Sequence, residues 1–466
     1  MLFNSLSFLI FFVFVFGAFW LLPTWTRKKH LLLLASLIFY AAWNPPYVVL
    51  LIISLGVDWQ LARLIGRTLH PSKRRLYLVI SLVFNLGMLG YFKYGDFFLQ
   101  NFFLLCANLG INYHPTSLGI ILPIGISFYT FASLSYTVDV YRKEIQPSYK
   151  FTDYALFVSF FPHLVAGPIV RASFLLPQIE NPKTPTMTQV SWGLTLFFVG
   201  LFFKVVMADG IFAPLVNAVY EHPKNAGFIS TWIAVFSFSG QIYFDFSGYS
   251  LCAIGLAMCF GFWFPINFNC PYGASSFSDF WRRWHISLSS WLRDYLYIPL
   301  GGNRYGKWHT YFALFTTMLI GGLWHGASWM FVLWGALHGV YLALERMLKG
   351  LSLENKILAQ GKSAVIFLII SLTWIFFRAE SPETALDIIR GLLNTSKIAA
   401  IEFPELLAII SILVMMRWHF LMKNYSIDKV FLKLGVPIQI ALLSFVFVAL
   451  FLCSGGNSNA FIYFQF

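Results

Sequence analysis

Long runs of apolar residues, separated by short polar or basic loops, recur along the whole chain. A run of about 20 such residues forms a helix long enough to cross the hydrocarbon core of a bilayer. The pattern predicts an all-α polytopic membrane protein with about eleven spanning helices, together with re-entrant or interfacial pieces. The candidate segments are 3–23, 31–57, 76–92, 97–113, 118–140, 154–168, 190–211, 228–247, 249–264, 308–325, 329–347, 363–378, 405–421 and 436–453.

The second apolar segment, residues 31–57, lies between two basic clusters. Basic residues favour the cytoplasmic side, so a single crossing would leave one cluster on the wrong side. The sequence WNPPY at 43–47 interrupts the segment, and consecutive prolines end a helix. We therefore predict a hairpin of two short helices that returns to the same side. The basic residues 27–30 then place the N-terminus on the side opposite the cytoplasm.

Composition agrees with a membrane protein. Hydrophobic residues make up 58% of the chain and charged residues 11%, whereas soluble proteins are about one-quarter charged. The net charge of +13 comes from Lys and Arg in short loops, a pattern typical of cytoplasmic loops that contact membrane lipids rather than nucleic acid. No polar stretch is long enough for a separate soluble domain, so residues 1–466 are predicted to form one domain.

Several ionisable residues lie within or next to apolar segments, where they are costly and therefore candidates for function. Lys204 and Asp209, five residues apart, are expected to pair with each other or to reach the interface. Asp245 lies in YFDFSGYS, read as a break between two spans, where it could line a cavity or bond loose backbone groups. The full set is Asp139, His163, Lys204, Asp209, Asp245, His325 and His338.

The stretch FFPHLVAGPIVRA around His163 contains Pro162, Gly167 and Pro168. Irregular backbone at membrane depth is tolerated only where protein or a water-filled cavity covers it. The stretch therefore predicts a broken or re-entrant helix, in which His163 is a packed, hydrogen-bonded residue rather than a catalyst.

Residues 276–295, SFSDFWRRWHISLSSWLRDY, predict one interfacial helix capped by Ser276. Trp281, His285 and Ser289 follow at intervals of four, so His285 is expected to border an aromatic face. Cations surround that face at Arg282, Arg283 and Arg293. Arg304 and Lys307, in the turn-rich loop that follows, could meet a phosphorylated ligand or lipid headgroups.

The sequence GGLWHGASWMFVLWGALHG at 321–339 holds His325 and His338 in an apolar setting. A shared metal would require the chain to fold back at Gly326, and no HExxH motif or intervening carboxylate supports one. No DxD pair and no GxxxxGK[ST] loop is present either. His325 is therefore either a buried structural histidine or a general base for acyl transfer in a dry, aromatic-lined site.

These motifs resemble the membrane-bound O-acyltransferase family, and most closely its bacterial alginate O-acetyltransferase branch. The resemblance runs in order along nearly the whole chain, and its motifs are long and of mixed composition. They are LPIGISFYTF (122–131), FFPHLVAGPIVR (160–171), DFSGYS (245–250), FWRRWHISLSSWLRDYLYIPLGGNR (280–304), GGLWHGASWMFVLWGALHG (321–339) and TWIFFRAESPETA (373–385).

The resemblance implies a fold of about eleven spanning helices around a central funnel or tunnel, with His325 and His285 as the catalytic pair. It further implies acetyl-CoA as acyl donor, no metal, and transfer across the bacterial inner membrane to an exported polysaccharide. A periplasmic SGNH-type partner would complete the transfer, and the N-terminus would lie in the periplasm. We expect Arg282, Arg283, Arg304, Trp281 and Ser289 to bind the donor and Trp324, Asp245 and His163 to line the substrate tunnel.

Other functions stay open at this point. A D-alanyl-type member of the family acting on teichoic acid is a sibling possibility, although the wording RRWHISLSSWLRDYLYIPLGG follows the alginate branch. A transporter or flippase would use His325 as a proton relay or substrate ligand without chemistry. A non-catalytic scaffold for the partner protein would not need His325 at all. Nothing in the sequence separates alginate from cellulose, peptidoglycan or another glycan as the acceptor.

Overall fold

A computed structural model describes residues 1–111, 116, 118–348, 356–396, 400–425, 427–453 and 461–462, with the backbone alone for 356–360. Within these residues the regular elements are helices, which confirms the predicted all-α class. The chain divides into two compact units, residues 1–194 with 253–265, and residues 195–252 with 266–466. The prediction of a single domain stays a prediction.

The first unit is built from eight helices and parts of two longer ones. Helix α2 packs against α3 and α6, and α3, α4 and α5 pack against one another in pairs. The helices are α1 (Leu6–Leu21), α2 (Trp25–Ala41), α3 (Pro46–Arg67), α4 (Pro71–Asn108), α5 (Ile126–Arg142), α6 (Phe151–Ser159), α7 (Phe161–Leu164) and α8 (Ala172–Glu180), with segments of α9 (Met187–Phe202) and α11 (Phe228–Cys259).

The second unit contains the rest of α9 and α11, two π-helical stretches at Phe203–Phe212 and Arg293–Tyr297, and the remaining helices. Its tightest pair is α14 with α15. The helices are α10 (Ala213–Glu221), α12 (Phe277–Trp281), α13 (Ile286–Leu292), α14 (Lys307–His325), α15 (Trp329–Met347), α16 (Lys356–Arg378), α17 (Pro382–Gly391), α18 (Phe403–Met422), α19 (Ile427–Lys433) and α20 (Val436–Cys453).

Two predicted interruptions are present. The WNPPY sequence separates α2 from α3, which pack against each other as the predicted hairpin does. The stretch around His163 is also broken, because α6 ends at Ser159, α7 spans only four residues, and the backbone beyond it is irregular. Whether the α2–α3 hairpin returns to one side of the membrane stays a prediction.

Two other predicted interruptions are wrong. Segment 76–92 and residues 97–108 of the next segment belong to one helix, α4, because no proline stops it between them. Residues 109–111 lie beyond the end of α4, and residues 112 and 113 lie outside the described part of the chain. Segment 228–247 and residues 249–259 of the next segment likewise lie in one helix, α11, which ends at Cys259. A methyl group added to Gly248 would collide with the backbone oxygen of Gly200, so this glycine permits close packing of α9 on α11 rather than ending the helix.

Seven helices of the described chain are long and apolar enough to cross a membrane. Helix α1 is apolar but shorter. The seven are Pro46–Arg67, Pro71–Asn108, Met187–Glu221, Phe228–Cys259, Gly361–Arg378, Phe403–Met422 and Val436–Cys453. They establish a multi-pass membrane protein, whereas the predicted total of about eleven spans stays a prediction.

Candidate active site

Helices α14 and α15 form a tight hairpin with the predicted turn between His325 and Trp329. A methyl group added to Gly322 would collide with the backbone oxygen of Phe331, and one added to Gly335 would collide with that of Met318. The two backbones approach closely because these positions lack side chains. The hairpin thereby fixes His325 at the end of α14.

Aromatic rings surround His325, which is 4% exposed. Its ring centroid lies 5.0 Å from that of Trp324, 5.2 Å from that of Trp334 and 5.3 Å from that of Phe377. Such an enclosure excludes water, which is the setting predicted for a base in acyl transfer.

After the fold-back at Gly326, His325 and His338 share one aromatic neighbour. The ring of Trp334 lies against both imidazoles, 5.2 Å from His325 and 4.7 Å from His338. His338 is completely buried and also packs against Trp281. A metal shared by the two histidines is therefore not supported by the geometry. Among the described residues, no group of three or more His, Cys, Asp or Glu side chains could hold a metal ion.

The predicted single helix over 276–295 is wrong. Ser276 does cap a helix, accepting a hydrogen bond from the backbone of Asp279 at 3.1 Å, but α12 ends at Trp281 and α13 begins only at Ile286. His285 lies at the break with φ of 41°, in the left-handed region that residues other than glycine rarely adopt. Backbone strain of this kind is concentrated at functional sites, where surrounding contacts hold it in place.

Asn267 supplies those contacts, and sequence reasoning missed it. Its side-chain oxygen lies 3.1 Å from Nδ1 of His285 and accepts hydrogen bonds from the backbone and hydroxyl of Ser287 at 3.2 and 2.8 Å. Its backbone oxygen accepts from the amide of Ile286 at 2.9 Å. Asn267 therefore bonds to the strained residue itself and to the two residues that follow it. A lone asparagine in a loop gives no periodic signal in the sequence.

This arrangement defines the state of the His285 ring. Because the Asn267 oxygen is an acceptor for several donors, Nδ1 of His285 carries the proton and Nε2 carries the lone pair. His285 is fully buried, and burial lowers the pKa of His285 well below its ordinary value of 6.5. A neutral imidazole oriented by a third group has the arrangement of a general base.

Trp324 connects the two histidines. Its ring centroid lies 6.1 Å from that of His285 and 5.0 Å from that of His325. On the other side of His285, Phe246 approaches edge to face at 4.5 Å. The structure thus brings the two predicted catalytic residues to the same buried aromatic layer of the second unit. Trp324, which was predicted to line the tunnel, packs against both histidines.

The predicted donor-binding cations differ in availability. Arg282 and Arg304 are exposed, so their guanidinium groups are accessible. Arg283 instead donates to Asp279 at 2.8 Å and to the backbone oxygen of Lys423 at 2.8 Å. Its role toward a donor stays a prediction, since its visible contacts hold α12 to the end of α18.

Two further predicted donor contacts have local roles in the structure. Trp281 packs against Trp334, with ring centroids 5.8 Å apart, and is therefore part of the wall around the histidines. The hydroxyl of Ser289 donates to the backbone oxygen of Trp284 at 3.2 Å. Donor binding by either residue stays a prediction.

Asp245 lies in the middle of α11 rather than in a break. It forms an ion pair with Lys204 at 2.5 Å, and Lys204 also pairs with Asp209 at 2.9 Å, as the sequence predicted for that pair. The other Asp245 oxygen accepts from the backbone of Ile462 at 3.0 Å. Residue 246, next along α11, contacts His285, so this ion-pair cluster adjoins the site. A tunnel role for Asp245 stays a prediction.

His163 lies in the first unit and is 4% exposed. Its ring packs edge to face against Phe160 at 6.2 Å and Phe264 at 5.2 Å. The packed environment agrees with the expectation from sequence, and its predicted place in a substrate tunnel stays a prediction.

Known proteins resemble this chain over most of its length. Residues 8–380 match the family model of MBOAT, the membrane-bound O-acyltransferase family. The peptidoglycan O-acetyltransferase of Helicobacter pylori is 39% identical over 435 residues, covering 86% of this chain and 81% of that protein. The probable alginate O-acetylase AlgI of Pseudomonas aeruginosa is 41% identical over 387 residues, covering 83% of this chain and 73% of that protein.

The teichoic acid D-alanyltransferase of Bacillus subtilis is a more distant relative, 25% identical over 275 residues, or 55% of this chain and 67% of that protein. The match therefore weakens from the O-acetyltransferases to the D-alanyltransferases. The family model and the O-acetyltransferase relatives make the protein an O-acyltransferase, which requires an acyl donor. The chain belongs to the membrane-bound O-acyltransferase family.

Proposed function

We propose that the protein transfers acetyl groups from cytoplasmic acetyl-CoA, across the bacterial inner membrane, to hydroxyl groups of an exported or cell-surface polysaccharide. The names of the relatives that are about 40% identical, an alginate O-acetylase and a peptidoglycan O-acetyltransferase, support this reaction class. In this proposal the N-terminus lies in the periplasm, and a periplasmic SGNH-type partner completes the transfer to the glycan.

One observation carries the proposal. Two buried histidines, His285 and His325, both pack against the ring of Trp324, and His285 is oriented by the Asn267 oxygen. A proton acceptor, a second imidazole oriented to position the reacting hydroxyl, and a dry enclosure suit the transfer of an acyl group to a hydroxyl. The ion-pair cluster at Asp245 offers no comparable base, because its carboxylates are engaged with Lys204.

The chemistry follows from these parts. In the proposed step, the attacking hydroxyl belongs to the group that first accepts the acetyl. His325 takes the proton of this hydroxyl as its oxygen bonds to the thioester carbonyl carbon. The carbon–sulfur bond then breaks, and the thiolate leaving group recovers the proton from the imidazolium. The step releases no net proton, so the buried site needs no path for protons to the solvent. His285 is proposed to orient that hydroxyl beforehand, because its Nε2 lone pair can accept a hydrogen bond from it.

The proposed donor carries phosphate groups, which guanidinium groups bind well. Arg282 and Arg304 fit that task because both are exposed, whereas Arg283 fits it less well because Asp279 and the Lys423 backbone occupy its donors. In this proposal the phosphates stay at the surface and only the thioester arm reaches the histidines.

Replacement of His325 by Ala tests the proposal. The expected result is a loss of roughly 10²- to 10⁴-fold in ester-linked acetate on exported glycans, because the proton acceptor is removed. His222→Ala, at an exposed histidine, is the matched control and should keep wild-type activity. Wild-type acetylation by His325→Ala at normal membrane expression would contradict a catalytic role and favour a scaffold.

The transferred group and the acceptor need separate measurements. Mass spectrometry of the esterified glycan should find acetate; alanine in its place would establish the teichoic acid activity instead. Purified protein with its partner should consume acetyl-CoA, and a transporter would not. The glycan that loses its ester when the gene is deleted identifies the acceptor among alginate, cellulose and peptidoglycan.

A further inference from the structure

Three helices of the first unit carry polar side chains on the faces that they turn toward one another. In each helix these side chains recur at intervals of three or four residues, so they lie on one face. We name this group the Asp58 cluster. Its members are Ser54 and Asp58 in α3, Ser81 and Asn85 in α4, and Thr130, Ser133 and Thr137 in α5, and each is at most 1% exposed.

Hydrogen bonds connect the three helices at Asp58. The hydroxyl of Ser81 donates to one carboxylate oxygen at 2.6 Å, and the amide nitrogen of Asn85 lies 2.9 Å from both oxygens. Ser81 also approaches the hydroxyl of Thr137 at 3.4 Å. The carboxylate is therefore the centre of the cluster rather than one of its edges.

The charge of Asp58 has no protein counterion among the ion pairs of the described chain. Helix α3 is one of the seven helices that can span a membrane. An uncompensated carboxylate in that environment costs several kcal/mol. Its hydrogen bonds come from neutral groups only, so we expect Asp58 to carry either a proton or a bound cation.

Unsatisfied oxygen atoms distinguish these two states. Within the described residues, Oγ of Ser54, Oδ1 of Asn85 and Oγ1 of Thr130 are buried without a hydrogen-bond partner. A proton on Asp58 supplies one donor and can satisfy only one of them. A cation coordinates several oxygens at once. The amide of Asn85 lies against the carboxylate and also donates to the backbone oxygen of Ser81 at 3.0 Å. A half-turn of this group would give up these bonds and place its oxygen beside the carboxylate, where a bound cation would hold it.

The ligand atoms also specify the kind of cation. The cluster offers carboxylate, amide and hydroxyl oxygens and no sulfur or imidazole, which suits a hard cation. A single carboxylate balances one positive charge, so a divalent ion would leave an excess charge in the membrane. We propose that the Asp58 cluster binds one Na⁺ ion, which neutralises Asp58 and ties α3, α4 and α5 together.

The test compares melting temperatures of the purified full-length protein in NaCl and in choline chloride at constant ionic strength. Wild-type protein should melt roughly 2–4 °C higher after a hundredfold increase in Na⁺, because the ion binds only the folded state. Asp58→Asn should lose this dependence. The matched control is Ser371→Ala, which breaks a buried hydroxyl pair with Ser239 in the second unit and should keep it.

A second variant guards against a failure of Asp58→Asn to fold. Thr130→Val keeps the shape of the side chain and removes one of the unsatisfied oxygens, so the Na⁺ concentration at half effect should rise roughly tenfold. A wild-type melting temperature that ignores Na⁺, or that responds equally to choline, would overturn the proposal. A response to pH alone would assign a proton to Asp58 and overturn it equally, as would Na⁺ dependence retained in Asp58→Asn.

Discussion

The two histidines of the candidate site are held by different kinds of structure. His325 ends a regular helix in a hairpin, and its position follows from the close contact of α14 with α15. His285 lies between two short helices at a positive φ, and its position follows from contacts with Asn267, eighteen residues earlier in the chain. The first arrangement is encoded locally, whereas the second depends on tertiary structure.

The surroundings of His325 and His285 are therefore expected to respond differently to substitution. Many backbone contacts hold the hairpin, so the loss of any one contact should have a small effect. A methyl group added where the two helices cross would instead collide with backbone atoms. A few hydrogen bonds hold the strained backbone at His285. This position should therefore be more sensitive to the removal of polar groups than to added side-chain volume.

The largest effect is expected at His285 itself. His285→Ala and His285→Gly should both lower acetyl transfer roughly 10²- to 10⁴-fold, because each removes the oriented imidazole. The two variants should differ in stability, however, since glycine adopts a positive φ without strain. The glycine variant is expected to melt at the higher temperature. Equal melting temperatures would contradict strain at this position, and normal activity in either variant would contradict the role of the imidazole.

A smaller effect is expected from Asn267→Ala. The change removes the acceptor that fixes the proton on Nδ1 of His285. The rate should therefore fall roughly 10- to 100-fold, by analogy with the loss of a partner that orients a metal-bound histidine. Asn269→Ala is the control, since only backbone atoms of Asn269 bond to Arg283. If Asn267→Ala and Asn269→Ala transferred acetyl groups equally well, Asn267 would have no orienting role.

The smallest effect on chemistry is expected from Gly322→Ala in the hairpin. The added methyl group meets the backbone oxygen of Phe331, which should destabilise the fold by about 1–3 kcal/mol and lower activity mainly through loss of folded protein. Gly361→Ala in α16 is the control, because a methyl group there meets no atom of the described chain within 4 Å. A melting temperature of Gly322→Ala equal to that of the control would show that α14 and α15 do not depend on this contact.

The comparison also shows which features the sequence could predict. Helix α15 has the bounds that its apolar pattern predicts. A periodic segment without proline and with a capping residue before it defines where a helix begins and ends. The interruptions within α4 and α11 were predicted wrongly, since Gly and Ser end helices in some settings and permit close packing in others. Only the neighbouring helix decides between these outcomes, as Gly248 against Gly200 illustrates.

The sequence did not predict the roles of polar residues that lie outside recognisable motifs. Asn267 acts through a side-chain oxygen whose partners lie far along the chain, and Asp58 is centred among hydroxyl groups from three helices. Neither role leaves a pattern in the local sequence, because each depends on which helices become neighbours. His325, by contrast, could be predicted from the sequence as a candidate, because two of the three rings around it, Trp324 and Trp334, lie in the same short stretch.

The length of α4 has a consequence for the membrane itself. A helix of 38 residues is about 57 Å long, whereas the hydrocarbon core of a bilayer is about 30 Å thick. Either the helix tilts strongly or one end stands beyond the lipid tails, and Lys73, Arg74 and Arg75 mark the end that can do so at little cost. Lipids with longer or shorter acyl chains would change how far α4 tilts or extends beyond the lipid tails. The thickness of the surrounding bilayer is therefore expected to influence the first unit.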